Sequence, residues 1–413
     1  MPQESQPLFG PVKPARANGV AMIVILGVIT AFAPLSIDLY LPSLPLIEED
    51  LSVSPGLTQL SLALFFIGLA VGQFFYGPLA DRYGRRRPLL VGILLYLVAT
   101  LVCTFSMNIE MLLAGRLTQG FGAAAGPVIA RAVVRDLYAG RRAARVMSFV
   151  ILVMTIAPLI APVLGGWIST MLGWRAVFWA LTLFALACGA TLLLALPETH
   201  PVERRQSDRL GRLFMGYVPI VRDPLSLAYL GAGGMAFAAL FAYVAGSPFV
   251  YTEVFGVSQA NFGYFFALNV VGLLMGNLTN GQLVIRFGHR RMLTAGVLTM
   301  ALGTSALVAM VASGISAQWL ITPVLFVTLS TVGIIAANTV AGLLDRHPDH
   351  AGSASALFGV MQFGLGALSA ALVGTIEGDP LVTMVMVMAL TAALALASLS
   401  VLWHQQRRIA AVG

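Results

Sequence analysis

Long runs of apolar residues, separated by short polar stretches, make up most of the chain. A helix needs roughly 20 such residues to cross about 30 Å of hydrocarbon, and only helices and closed barrels satisfy their backbone polar groups there. The alternating pattern of a membrane β-barrel is absent from the sequence. The pattern therefore predicts an all-α membrane protein with twelve transmembrane helices, at residues 20–42, 57–80, 88–105, 110–132, 146–170, 174–196, 225–250, 260–284, 291–312, 317–341, 353–376 and 381–403.

The loops between these helices differ in charge. The loops after helices 2, 4, 6, 8 and 10, together with both termini, contain 22 of the 24 basic residues. The opposite loops are acidic, and Arg175 is their one basic residue. Because positively charged loops stay on the cytoplasmic side, both termini are predicted to be cytoplasmic.

An internal repeat predicts two similar halves. The residues from Gly77 to Arg87, after the second helix, match those from Gly281 to Arg291, after the eighth, at two glycines, one leucine and three arginines. Duplicated six-helix units are typical of one large class of membrane transporters. We therefore expect a cytoplasmic tail at 1–19, a first six-helix bundle at 20–196, a cytoplasmic linker at 197–224, a second six-helix bundle at 225–403 and a cytoplasmic tail at 404–413.

The composition agrees with a membrane location, since 58% of the residues are hydrophobic, 10% are charged and the mean hydropathy is +0.89. The net charge of +7 is spread in short clusters between apolar runs, so the expected partner is the lipid bilayer and not nucleic acid. Lys13, the one lysine, precedes Pro14, which excludes a GxxxxGK[ST] phosphate-binding loop. The five histidines lack the spacing of a metal or acid–base site, so we expect no enzyme activity and no bound metal.

Several stretches of the sequence form recognisable motifs. Gly77 to Leu89 reads GPLADRYGRRRPL, and Leu112 to Ala124 reads LLAGRLTQGFGAA. The first resembles the loop signature of the major facilitator superfamily, and the second resembles the helix 4 motif of that superfamily. Ala157 to Gly166 (APLIAPVLGG) is similar to the helix 5 motif associated with antiporters, although Ala161 stands where many members have glycine. The end of helix 1, Ser36 to Pro45 (SIDLYLPSLP), resembles bacterial bicyclomycin and chloramphenicol resistance exporters of the Bcr/CflA type.

This resemblance implies the major facilitator fold and the proton-coupled export of small drugs, of the chloramphenicol or bicyclomycin kind, across the bacterial inner membrane. Protons would be the coupling ion, with no other cofactor, and we expect a monomer. Two alternatives stay open, namely an exporter or importer of an endogenous metabolite and a membrane sensor without transport. The periodicity and charge pattern alone indicate only a transporter-like membrane protein.

Asp38 is the one acidic residue in the interior of a predicted helix, and Arg116 is the one basic residue well inside a helix. Ionisable groups in hydrocarbon are costly and usually functional. Both lie about six residues from the outer ends of their helices, so their depths match to within about a turn. We predict that they face one cavity and couple proton to substrate, directly or through water. The alternatives are a structural Asp38 near Pro42 and a packing role for Arg116 beside Gln119.

The loop after helix 2 is predicted to act as a cytoplasmic gate. Gly77 and Gly84 would permit close approach and a sharp turn, Asp81 could accept from a neighbouring helix N-terminus, and Arg85 could pair with Asp136. The alternative is that the arginines only keep the loop in the cytoplasm. The gate residues are Gly77, Asp81, Arg82, Gly84, Arg85, Arg86 and Asp136.

Two further sets complete the predicted site. The helix 5 motif residues Pro158, Pro162, Gly165 and Gly166 allow bending and tight packing, and the resemblance favours a hinge and seal over a passive kink. The resemblance also implies a mostly apolar drug pocket, lined from helices 1, 4, 7 and 10. Its candidate residues are Tyr40, Gln119, Phe237, Phe241, Tyr243, Asn269, Asn338 and Gln362.

Overall fold

The computed structural model describes residues 19–205 and 214–412. Within those two ranges the regular structure is helical throughout, without strands. Ten helical segments of the described chain are long and apolar enough to cross a membrane. The predicted all-helical membrane fold is therefore confirmed, while the count of twelve helices stays a prediction.

The helices of the first described range carry most of the predicted site. They are α1 (Gly19–Thr30), α2 (Phe32–Asp38), α3 (Leu44–Leu51), α4 (Pro55–Tyr83), α5 (Arg86–Thr104), α6 (Ile109–Ala123), α7 (Ala125–Leu137), α8 (Gly140–Leu172) and α9 (Trp174–Ala195).

The helices of the second described range begin in the predicted linker. They are α10 (Val218–Arg222), α11 (Pro224–Phe249), α12 (Gln259–Ala312), α13 (Gln318–Arg346), α14 (Ala351–Thr375) and α15 (Pro380–Val412), and a π-helical turn, Val250–Val254, follows α11.

The first spanning segment is broken and extends beyond its predicted end at residue 42. A 3-10 turn (Leu41–Ser43) separates α2 from α3, and the helical segment then continues to Leu51. Pro42 and Pro45 lie in the first turns of the 3-10 helix and of α3, where a missing backbone N–H costs least. The prolines therefore interrupt the segment without ending it.

The internal repeat is visible in the backbone. Gly84, between α4 and α5, has φ 88° and ψ 173°, and Gly288, inside α12, has φ 76° and ψ 157°. Both values lie in a region that residues with a side chain rarely adopt. The same turn therefore occurs at corresponding places in the two repeats, and in α12 it interrupts a 54-residue helix.

Some predicted boundaries of tails and linker cannot be compared with the structure, and one differs from it. Residues 1–18 and 206–213, which include most of the predicted first tail and part of the linker, lie outside the described residues. The predicted second tail does not begin at a helix end, because α15 continues to Val412. The division into two bundles stays a prediction.

Glycines allow the helices to pack backbone against backbone. A Cβ atom on Gly120 of α6 would overlap the carbonyl oxygen of Phe65 in α4, and one on Gly276 of α12 would overlap that of Ser330 in α13. Small residues at helix crossings allow this close approach in membranes, where van der Waals contact replaces the hydrophobic effect as the driving force. The position of each helix therefore depends on the absence of a side chain at a few sites.

A pair of glycines in α12 tests this packing. We expect Gly276→Ala to destabilise the purified protein by about 1–3 kcal/mol, the usual cost of overpacking, because its methyl group meets backbone. Gly281→Ala is the matched control, since a Cβ there would meet nothing within 4 Å. Thermal unfolding of both variants checks the prediction, and equal melting temperatures for the two would contradict it.

Candidate functional site

Asp38 is the last residue of α2, at the break in the first spanning segment. It is only 5% exposed, and no hydrogen bond or ion pair reaches its carboxylate from any described residue. Interrupted membrane helices commonly form ion and substrate sites at the break. The position and burial of Asp38 are therefore those of a candidate functional carboxylate.

Arg116 lies in α6 and is fully buried. Its Nη1 donates to the carbonyl oxygen of Ser36 at 3.1 Å and to Oε1 of Gln119 at 2.6 Å. Its Cζ lies 4.3 Å from the centre of the Tyr40 ring and 4.2 Å from that of Phe65, so two aromatic faces stabilise the cation. Among the described residues, Nε and Nη2 have no hydrogen-bond partner. The guanidinium therefore keeps two free donors.

The structure brings Arg116 to the helix that carries Asp38 but does not pair the two side chains. The bond to Ser36 anchors the guanidinium two residues before Asp38 in α2. Within the described ranges, no ion pair joins Arg116 to Asp38. The predicted direct pairing is thus not made in this conformation, and coupling through water stays a prediction. The contact with Gln119 is the one that the packing alternative expected.

A polar network connects this arginine, in the fourth predicted span, to the first and third predicted spans. Nε2 of Gln119 donates to Oγ1 of Thr100 in α5 at 2.8 Å. The hydroxyl groups of Ser36 and Tyr96 are 2.6 Å apart, and Thr100 donates to the carbonyl oxygen of Tyr96 at 2.7 Å. Gln119 is therefore fixed between helices in this conformation.

The remaining predicted pocket residues also make contacts between helices. The hydroxyl of Tyr40 lies 2.7 Å from that of Ser61 in α4. Nδ2 of Asn269 donates to the hydroxyl of Tyr243 at 2.9 Å, and Nδ2 of Asn338 donates to Oδ1 of Asn280 at 2.6 Å. These pairings are the ones that amide groups commonly make inside membrane helix bundles.

The predicted aromatic pocket residues pack between the two predicted bundles. The ring centres of Phe241 in α11 and Phe66 in α4 are 4.2 Å apart, and Phe363 in α14 lies 5.7 Å from Phe241. Phe237 and Gln362 are half-buried. The rings therefore join helices of both halves of the chain.

A cavity of about 730 Å³ opens elsewhere, beside the loop after α4. Its lining includes Asp81, Arg131, Arg135, His200 and His350, but none of the eight predicted pocket residues. Burial, and then the nearby arginine of the loop, lower the pKa of His200 below its ordinary value. The predicted pocket and this polar cavity are thus separate places in this conformation.

Arg85 is the centre of the predicted gate. It is 2% exposed, its Nε donates to Oδ2 of Asp136 at 2.7 Å, and its Nη1 donates to Oδ1 of Asp81 at 2.6 Å. Burial alone would lower the pKa of Arg85, but the hydrogen bonds to Asp136 and Asp81 raise it. The predicted pair of Arg85 and Asp136 is therefore present, and it holds the ends of α4 and α7 together.

Glu198, which the sequence analysis did not select, also holds this loop. Its Oε1 accepts from the backbone N–H of Arg85 at 2.8 Å, and its Oε2 accepts from that of Arg86 at 3.3 Å. A Cβ on Gly84 would overlap the Glu198 carboxylate. The acid follows Pro197 at the end of the sixth predicted span, but nothing in the sequence indicates that it meets residues 112 positions earlier.

Two details of the gate differ between the sequence prediction and the structure. Gly77 lies inside α4, and a Cβ there would meet nothing within 4 Å, so the predicted close approach is wrong for this glycine. Among the described residues, Asp81 accepts from the Arg85 side chain and not from a helix N-terminus. The side chain of Arg82 lies against Tyr83, and that of Arg86 donates to the carbonyl oxygen of Leu193.

The helix 5 motif packs as predicted against neighbouring helices. A Cβ on Gly165 would overlap the carbonyl oxygen of Leu39, next to Asp38, and one on Gly166 would approach that of Gln259 in α12. Gly263 of α12 in turn lies against the backbone of Pro162. Pro158 and Pro162 both lie inside α8. The motif therefore forms the contact between α8 and α12, while its role as a hinge stays a prediction.

The second repeat makes different polar contacts at the corresponding positions. His289 corresponds to Arg85, and its Nδ1 lies 3.6 Å from Asp345. Asp223, at the start of α11, binds Arg346 through two hydrogen bonds of 2.6 and 3.0 Å. Burial alone would raise the pKa of Asp223, but the hydrogen bonds from Arg346 and Ser226 outweigh it and hold the pKa at about 2. No described cluster of His, Cys, Asp and Glu could hold a metal ion.

Known proteins resemble this chain along most of its length. The Major Facilitator Superfamily profile matches residues 26–371. The chain is 34% identical to the uncharacterized MFS-type transporter YdgK of Bacillus subtilis over 88% of this chain and 91% of that protein. It is 32% identical to the bicyclomycin resistance protein homolog of Haemophilus influenzae over 89% of this chain and 92% of the relative.

A solved structure shares the fold. It is that of a bacterial homolog of the human lysosomal transporter Spinster, in an inward-facing and occupied conformation. The two chains superpose with a TM-score of 0.73 at 14% identity, over 95% of this chain and 98% of the other. At this identity the similarity concerns the fold alone.

We call Arg85 and its two carboxylate partners, Asp81 and Asp136, the Arg85 cluster. The internal repeat offers a matched test of this cluster. We expect Asp81→Arg to lower the stability of the purified protein by more than about 1 kcal/mol, because it removes one carboxylate from a buried arginine and adds a like charge. Ile285→Arg adds the same charge at the corresponding position, which is 88% exposed, and should leave the melting temperature unchanged. Equal melting temperatures would mean that the loop charges serve topology only.

The ion pair between Asp223 and Arg346 predicts how the stability of the protein depends on pH. The Asp223 pKa of about 2 lies below the ordinary 3.8, so the pair stabilises the fold above pH 4 and this contribution is lost as the pH falls toward 2. Asp223→Asn should therefore lower the melting temperature, by about 2 °C at pH 7, and this difference should shrink between pH 4 and pH 2. Asp379→Asn is the control, because Asp379 caps α15 without an arginine partner among the described residues. A difference that does not change with pH would contradict the prediction.

Proposed function

The chain belongs to the Major Facilitator Superfamily, and from this membership we propose that it is a proton-coupled antiporter that exports small drugs across the bacterial inner membrane by alternating access. Membership makes the protein a multi-pass membrane transporter and not an enzyme. The name of the Haemophilus influenzae relative, a bicyclomycin resistance protein homolog, supports a drug as the cargo.

We count twelve crossings in this antiporter. The 54 residues of α12 would extend about 80 Å, more than twice the hydrocarbon thickness, and the turn at Gly288 divides them into two crossings. Helices α6 and α7 follow each other with Ala124 in helical conformation, so they form one further crossing. Together with the other nine candidates this gives twelve. The arginine-rich loops then favour cytoplasmic termini.

The observation that carries the proposal is the unpartnered carboxylate of Asp38 at the break in the first span. A proton can bind this group without displacing a protein donor, and cargo or water can reach it only through a cavity between helices. Arg116 is anchored within one helical turn of Asp38 and keeps two donor nitrogens, Nε and Nη2, without a partner among the described residues. Asp38 is thus the proposed proton carrier. The positive charge of Arg116 opposes the binding of a proton or another cation close to the guanidinium.

The contacts described above supply the moving parts of the proposed cycle. The Arg85 cluster joins α4 and α7 beside the 730 Å³ cavity, which we interpret as the cytoplasmic vestibule. The helix 5 motif joins α8 to α12 and touches the backbone at Leu39. Rocking of the two halves about the α8 and α12 contact would therefore reach the residue next to Asp38.

Asp38→Asn tests the proton coupling. In inside-out membrane vesicles acidified inside, we expect this variant to lose at least about tenfold of the uptake of labelled bicyclomycin that a pH gradient drives, because the amide cannot carry a proton. The protein should remain folded, with an unchanged melting temperature. Glu110→Gln is the control, since Glu110 is an exposed acid at the start of α6 in the same half. Full pH-driven uptake by Asp38→Asn would remove Asp38 from the mechanism.

The accumulation of bicyclomycin in whole cells measures the direction of transport. An exporter lowers the accumulation of bicyclomycin, and accumulation rises when the proton gradient is collapsed. Higher accumulation in cells that contain the protein would favour import instead.

A further inference from the structure

The turn in the middle of α12 differs from its repeat in what it presents to its surroundings. We call the side chains of Ile285, Arg286, Phe287, Arg290 and Arg291 the Gly288 surface. We propose that the Gly288 surface binds the headgroup of an anionic phospholipid at the membrane boundary. The turn joins two apolar stretches of a single 54-residue helix, so it lies at the surface of the bilayer.

The three arginines of the Gly288 surface are exposed, and none of them makes an ion pair within the described part of the chain. Arg286 lies against the ring of Phe287, with its Cζ 5.4 Å from the ring centre. Arg290 lies near the hydroxyl of Tyr229, which is a neutral group. The nearby carboxylate of Asp345 lies 3.6 Å from Nδ1 of His289, and within the described residues it makes no ion pair with these arginines. The positive charges of the turn are therefore not compensated inside the protein.

The first repeat, which has the same backbone turn, uses its charges differently. Arg85 is buried between two carboxylates, and Arg86 donates to the carbonyl oxygen of Leu193. In the second repeat, Ile285 replaces Asp81, so the acid that would compensate the arginines is missing at that position. The contrast separates the Gly288 surface from a general excess of basic residues in these loops.

Exposed apolar side chains accompany the arginines. Ile285 is 88% exposed and Phe287 is 42% exposed. Large apolar and aromatic side chains next to arginine are typical of segments that rest at the boundary of headgroups and acyl chains. Guanidinium groups bind phosphate oxygens through paired hydrogen bonds. An anionic phospholipid fits both features, because its phosphate meets the arginines while its acyl chains cover Ile285.

The test is a lipid titration of the purified full-length protein in detergent, followed by native mass spectrometry. We expect phosphatidylglycerol to bind about tenfold more tightly than phosphatidylcholine with the same acyl chains. The triple variant Arg286→Gln, Arg290→Gln, Arg291→Gln should bind phosphatidylglycerol about a hundredfold more weakly, at about fivefold for each arginine. Ile285→Asp keeps every arginine, restores the acid of the first repeat, and should weaken this binding by about fivefold or more.

The control removes two charges at the start of α8, with Arg142→Gln and Arg145→Gln. Both residues are exposed, and Val146, which follows Arg145, is buried, so no exposed large apolar side chain stands directly beside these charges in the sequence. Phosphatidylglycerol affinity should change by no more than about twofold in this variant. The proposal is overturned if the control loses as much affinity as the triple variant, if the triple variant keeps the original affinity, or if inorganic phosphate competes as well as the lipid.

Discussion

The absence of water in the hydrocarbon is the constraint on which the rest of this structure depends, because a charge there has to be solvated by the protein. Arg116 is solvated by a carbonyl oxygen, a glutamine and two aromatic rings. Arg85, at the edge of the membrane, lies between two carboxylates. Asp38 has no such partner among the described residues, and this difference separates it from the charges that are fixed in place.

Asp38 and the helix 5 motif meet at one short stretch of backbone. Asp38 ends α2, and the carbonyl oxygen of Leu39 is the atom that Gly165 of the helix 5 motif approaches. The next glycine of the motif approaches α12. The α8 and α12 contact is therefore continuous, through packed backbone, with the residue beside the carboxylate.

The two repeats show how one backbone turn can support two roles. Gly84 and Gly288 have nearly the same dihedral angles, yet the first turn directs its arginine inward to Asp136 and the second leaves its arginines exposed. The substitution of isoleucine for Asp81 accounts for part of this difference, because a buried arginine needs its carboxylates. The first turn is thus bound to neighbouring helices, and the second keeps its arginines at the surface.

The sequence by itself determined the membrane location, the approximate helix positions, the repeat and the candidates Asp38, Arg116 and Arg85, because apolar length, charge asymmetry and the cost of a buried charge are properties of local sequence. It also predicted the pair of Arg85 with Asp136. Tertiary structure alone decided that Arg116 bonds to Ser36 and not to Asp38, that Glu198 caps the gate loop, and that Gly77 has open space around it. These contacts depend on distances of a few ångströms between helices that are far apart in the chain. Packing of all the helices sets those distances, so no local sequence pattern predicts them.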